Sequence, residues 1–231
     1  MTDVASGTIT PPTGGQMCTL LAVDIVEFTR PDRDDVTRLY LHGALYRMLA
    51  QAFDTTGIPW NSCCAEDRGD GALVVIPPAF GARATIDPLP ERLRTLIRHH
   101  NHVSSYEARI QLRVAVHTGP VDHDGHGFVG SDVNFLFRML SARSLSAVLH
   151  GSDADLACIV SEDIYRNVVC RFPNLVSPDD FRRTRFQVKR TKGRALIYVP
   201  GRSRWLTPRK RWGRAPHVGE AATTHSTVAN D

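Results

Sequence analysis

The sequence predicts an α+β domain with a ferredoxin-like βαββαβ core, followed by an extra C-terminal helix and strands. Three observations lead there. Cys18 to Val23 is a nearly unbroken apolar run, the mark of a central strand covered on both faces. An apolar stripe at helical spacing follows, and then two β-type runs meet at Gly69-Asp70-Gly71. A second helical segment leads to an alternating strand, Ile110/Leu112/Val114/Val116. This order is the split βαβ pattern.

Taken in order, residues 1–16 are rich in Thr, Gly and Pro and read as a flexible lead-in without an apolar leader core. The first strand ends at Asp24, and Asp32 to Asp35 look like helix-start residues. The helix over 36–53 carries Val36, Leu39, Tyr40, Ala44, Leu45, Met48, Leu49 and Ala52; Gly57 and Pro59 end it. Strands over 58–65 and 72–76 flank the stretch Glu66-Asp67-Arg68-Gly69-Asp70-Gly71, whose Gly-Asp-Gly reads as a tight hairpin. A helix over 91–104, the strand over 110–116, a polar Gly/His loop over 122–127 and a helix over 129–142 come next. A strand at 156–160, a helix from Ser161 to Val169 and two late strands, 181–189 and 194–199, complete the folded part.

The right-handed crossover makes the first two strands parallel in direction. The end of strand one and the tip of the hairpin then share a sheet edge, so Asp24 and Asp70 become neighbours. Two carboxylates facing one point repel unless a cation lies between them, and such a set suits Mg²⁺ or Mn²⁺.

The chain of 231 residues, 42% hydrophobic and 23% charged with a net charge of +4, fits one globular domain (17–200) with tails. Five cysteines without a Cys-x-x-Cys pair favour free thiols over a disulfide or zinc framework, and Cys63 and Cys64 read as small core residues. No apolar stretch reaches membrane-spanning length, so a cytoplasmic protein is expected. His117 ends a strand and reads as structural. The spacing of Asp122, His123, Asp124 and His126 fits no clean metal-ligand set.

Five separated motifs then resemble the class III nucleotidyl cyclase catalytic domain, the adenylate/guanylate cyclase homology domain, over about 17–200. Leu21-Ala22-Val23-Asp24-Ile25-Val26-Glu27-Phe28-Thr29 resembles the first metal motif, and Arg68-Gly69-Asp70-Gly71 the second. Leu112 to Pro120 resembles the strand ending in G-I-H-x-G, and Gly130 to Arg138 resembles G-x-x-V-N-x-A-x-R. Lys192-Gly193 before Tyr198 resembles the final K-G.

The resemblance implies a homodimeric nucleoside triphosphate cyclase with its active site between two subunits. By it, Asp24, Asp70 and the Ile25 carbonyl hold two Mg²⁺ or Mn²⁺ ions. Amides around Glu27, Phe28 and Thr29 cradle the triphosphate at the start of the following helix. Asn134, Arg138 and Lys192 come from the other subunit, to position the ribose, meet charge at the α-phosphate and neutralise the outer phosphates. Lys189 and Arg190 are alternatives to Lys192. The base readers fall at Glu66, where guanylate cyclases place Glu, and at Gly127, which has no side chain.

Glu66 hints at guanine, since a carboxylate accepts two N–H bonds from a guanine edge. Gly127 departs from the purine pattern, as do cyclases of anti-phage defence that make cyclic UMP or CMP. A catalytically inactive nucleotide-binding module is a further alternative. The tail, 201–231, holds Arg202, Arg204, Arg209, Lys210, Arg211 and Arg214 around Trp205 and Trp212. It suits nucleic acid or an acidic surface, or simply solubilises the chain.

Overall fold

The computed structural model describes residues 11–150, 152–172 and 176–202. The basic tail from residue 203 onward, and the lead-in before residue 11, lie outside the described residues.

Strand β1 (Gln16–Ile25) is buried over its last eight residues. It lies at the centre of an eight-stranded sheet with β2 (Cys64–Asp67), β3 (Gly71–Ile76), β4 (Leu112–His123), β5 (Phe128–Val129), β6 (Leu156–Ser161), β7 (Arg182–Val188) and β8 (Thr191–Tyr198). The order is β2-β3-β1-β4-β6-β8-β7, with β5 paired to β4. β1 runs antiparallel to β3 and β4, and β2 antiparallel to β3. The first two strands are therefore parallel in direction but separated by β3. That is the predicted ferredoxin-like core, and β6, β8 and β7 extend it, β6 parallel to β4.

Helices cover both faces, which explains the unbroken apolar run of β1. Leu21, Val23 and Ile25 pack with α1 (Asp35–Asp54) and α2 (Leu89–Val103) on one face. Leu20 and Ala22 pack with α3 (Ser131–Leu140) and α4 (Arg143–His150) on the other.

Several sequence expectations shift. The stripe of α1 is buried only from Leu41 onward; Val36 and Leu39 are 77% and 75% exposed, and Tyr40 is also exposed. The strand expected over 58–65 is shorter and later. Pro59 has no amide to give a ladder, and the Asp54 carboxylate takes the Trp60 N–H (2.7 Å), starting a 3₁₀ turn at Trp60–Ser62. Glu66 consequently sits inside β2 rather than in the turn. The helix expected to run from Ser161 to Val169 is one α-turn, α5 (Glu162–Ile164), continuing as a π-turn through Val169. β7 and β8 are joined by the two residues Lys189 and Arg190 alone, so Lys192 lies in strand β8 and not in a turn. The five cysteines are free, and burial pushes the Cys63 thiol up to about 12.

Candidate active site

Backbone register brings Asp24 and Asp70 to adjoining positions. Asp24 is the penultimate residue of β1 and stands opposite Gly71, the first of β3. The Ile25 N–H donates to the Asp70 carbonyl at 2.9 Å, fixing the hairpin tip against the end of β1. In the tip, the Arg68 N–H donates to the Gly71 carbonyl (3.0 Å), and Gly69 takes a φ of +80°. Gly71 is required by contact: a Cβ there would lie 1.9 Å from the Val23 carbonyl oxygen.

The two acids differ sharply in surroundings. Asp70 is exposed, whereas Asp24 is 9% exposed. Arg113 of β4, opposite Asp24 in the ladder, grips it with both arms: Nε to Oδ1 at 2.8 Å and Nη2 to Oδ2 at 2.7 Å. Its Nη1 reaches Ser146 Oγ on α4 at 3.0 Å. Burial pushes the Asp24 carboxyl up, Arg113 pulls it back and the Asp70 charge raises it further. The sequence reading missed Arg113, because an arginine in an alternating strand reads as the solvent face.

The turn that follows β1 is also held by a residue the sequence reading passed over. Glu27 has φ +52°, and Arg33, 3% exposed, donates to the carbonyls of Val26 (3.4 Å), Glu27 (3.0 Å), Glu107 (3.0 Å) and Arg109 (2.8 Å). Burial, then nearby Arg30, pulls its pKa below the usual guanidinium value. α1 begins only at Asp35, where Asp34 caps the Thr37 N–H at 2.7 Å. Phe28 and Thr29 thus lie in a turn well before the helix, not at its start. Among the described residues, no hydrogen bond uses the amides of Glu27, Phe28 and Thr29.

Asn134 and Arg138 project from α3. Asn134 is exposed, its Nδ2 donating to the Gly130 carbonyl at 3.1 Å. The side chains of Arg138 and exposed Lys192 have no hydrogen bond or ion pair among the described residues. Phe135 of α3 and Phe186 of β7 touch (ring centroids 5.6 Å), and both bracket Gly193. The elements carrying Asn134, Arg138 and Lys192 are therefore neighbours. His117 is buried, with Nε2 2.8 Å from Asp132 Oδ1 and its ring against Phe135, in keeping with a structural part.

Glu66 and Gly127 also come together. Glu66 Oε2 accepts the Phe128 N–H at 3.1 Å, Oε1 pairs with Arg68 Nη2 at 3.0 Å, and a Cβ at residue 127 would lie 2.9 Å from Oε1. Asp122 and Asp124 serve the backbone, accepting N–H groups of Gly15, His126 and Gly127. Among the described residues, no group of three or more His, Cys, Asp or Glu side chains could hold a metal ion. The acidic oxygens at this sheet edge are those of Asp24, both bonded to Arg113, and those of exposed Asp70. No described helix is long and apolar enough to cross a membrane.

Solved structures share this architecture. An adenylate/guanylate cyclase/hydrolase from Silicibacter pomeroyi aligns with a TM-score of 0.56 at 19% identity, over 80% of this chain and 97% of that one. The chain has the class III nucleotidyl cyclase fold. A dimeric guanylyl cyclase domain of the RhoGC fusion protein from Blastocladiella emersonii aligns at 0.52 and 19% identity, covering 81% and 98%. The guanylate cyclase domain of RhGC from Catenaria anguillulae, in complex with GTP, aligns at 0.50 and 17%, covering 79% and 96%. No protein-family model and no curated protein matches by sequence. Within the cyclase fold, the carboxylate pair sits at the β1 end and hairpin tip, while Asn134 and Arg138 sit on the helix following β5.

Proposed function

We propose that this protein is a nucleoside triphosphate cyclase, working as a homodimer with Mg²⁺ or Mn²⁺. The observation that carries this reading is the register that sets Asp24 beside Asp70, on a fold shared with cyclase domains. Asp24, Asp70 and the Ile25 carbonyl would hold the ions. Bound there, two divalent ions supply a lowered pKa for the ribose 3′-hydroxyl and a counter-charge for the phosphate oxygens. The amides of Glu27, Phe28 and Thr29, arched by Arg33, cradle phosphate oxygens. From the second subunit, Asn134 orients the ribose, Arg138 meets charge growing at the α-phosphate and Lys192 neutralises the outer phosphates. The 3′-oxygen bonds to the α-phosphorus, the α–β P–O bond breaks, pyrophosphate leaves and the hydroxyl proton passes to solvent. No protein side chain is required as base.

The test is incubation of the dimer with each of the four nucleoside triphosphates and Mn²⁺. A cyclic product is expected with at least one. In Asp70→Ala its rate should fall by about 10²–10³, the scale of losing one charge partner in a transition state. Absence of turnover with all four would sink the reading.

A second reading has one observation behind it. Arg113 already bonds both oxygens of Asp24, an arrangement that also suits a nucleotide-binding module without turnover. Tight triphosphate binding with no product would decide for it.

A further inference from the structure

Where the cyclase reading places base recognition, the described contacts assign the parts differently from the sequence. Glu66 on β2 stands opposite Leu73, a member of the core beneath α3 and α4. Its carboxylate is engaged twice on its own chain. Oε2 takes the Phe128 N–H at 3.1 Å and Oε1 pairs with Arg68 at 3.0 Å. A Cβ at residue 127 would lie 2.9 Å from that carboxylate, so the glycine leaves Glu66 its present position without a shift. A carboxylate bound in this way is a support rather than a vacant acceptor pair.

Arg68 has the opposite character. Its Nη2 is ion-paired with Glu66 Oε1 at 3.0 Å, and its five N–H donors have no hydrogen-bond partner among the described residues. Its guanidinium lies over the Phe137 ring of α3, 5.0 Å from the centroid. An ion pair on one edge and an aromatic face beneath hold the planar, partly exposed fork in place.

We propose that Arg68, oriented by Glu66 and Phe137, is the base-reading residue of this site, and that it selects a base carrying a keto oxygen, guanine or uracil. The inference rests on the cyclase reading above. A guanidinium donates to guanine O6 and N7, and equally to uracil O4, whereas adenine and cytosine put an amino donor where that keto oxygen would be.

The probes are α,β-methylene triphosphates of the four bases, which cannot release pyrophosphate, titrated with Mg²⁺ onto the full chain by calorimetry. The guanine or the uracil analogue should bind about tenfold or more tightly than those of adenine and cytosine. Which of the two binds best names the base, and either supports the proposal. Arg68→Met should collapse the spread. Arg68→Lys keeps the charge, removes the fork and should collapse it too, so the test survives if the methionine variant fails to fold. Glu66→Gln, which still accepts the Phe128 N–H, should narrow the spread but keep its order. A spread that survives both Arg68 variants overturns the proposal, as does equal binding of all four or a preference for adenine or cytosine. In those cases the cyclase reading stands. Failure to bind any analogue removes both.

Discussion

The two halves of the candidate site are built by different means. The carboxylate half is written into the backbone. Asp24 is placed by the β1–β3 ladder, Asp70 by the Ile25 amide, and Asp24 is further clamped by Arg113. The cationic half has no such anchoring: Arg138 and Lys192 project from α3 and β8 without partners among the described residues, and Asn134 bonds only its own helix start. One half is held by bonds within its own chain, whereas the Arg138 and Lys192 side chains lack such bonds among the described residues. That asymmetry suits a site assembled between two copies, where each supplies what the other lacks.

The most severe way to break the comparison is at Gly71. A methyl group there would overlap the Val23 carbonyl oxygen, and backbone on both sides must move. The hairpin would have to leave β1, opening a sheet whose β3 is buried throughout. Gly71→Ala should cost about 4 kcal/mol or more, in the range reserved for core disruption. Denaturant unfolding measures it. A loss below about 1 kcal/mol would mean that the register holding Asp24 beside Asp70 is looser than described.

Arg113 sharpens it next. Removing one partner of a largely buried ion pair leaves the other charge desolvated, so Arg113→Met should destabilise the fold by about 3 kcal/mol. Asp24→Asn combined with it should cost less than the two single changes summed, the signature of direct coupling. Arg138→Ala and Lys192→Ala should each change stability by less than about 0.5 kcal/mol, since neither contact exists to lose. If Arg138→Ala were as damaging as Arg113→Met, the contrast between a fixed half and an open half would fail.

How much of this could be read from the residues alone follows the same division. The strand bearing Asp24 and the hairpin bearing Asp70 are legible because burial on two faces demands continuous apolar runs, and Gly-Asp-Gly demands a turn. Arg113 was not legible, since alternation assigns it to solvent and only tertiary pairing brings it to Asp24. α4 escaped because only two residues, Ser141 and Ala142, separate its eight residues from α3, with no Gly or Pro between. The start of α1 was legible from Asp32 to Asp35, and the Thr37 contact selects Asp34 among them as the cap. The partners of Glu66 are the Phe128 amide of β5 and Arg68 of the hairpin, and only the tertiary fold brings β5 to β2. Its guanine hint could not anticipate that both its oxygens are engaged.

The mildest effect is also the one that tests assembly most directly. Asp70→Ala damages the carboxylate half and Arg138→Ala the cationic half, and each variant alone should be slowed by about 10²–10³. Mixed in equal amounts and allowed to exchange subunits, half of the dimers carry one copy of each. In such a dimer both lesions fall in one site and the other site is intact. Turnover should therefore return to roughly a quarter of the unmodified level, as two-fold symmetry with one shared site per pair of halves requires. A site built wholly within one chain predicts no recovery at any mixing ratio. Each subunit would then carry its own lesion into its own site.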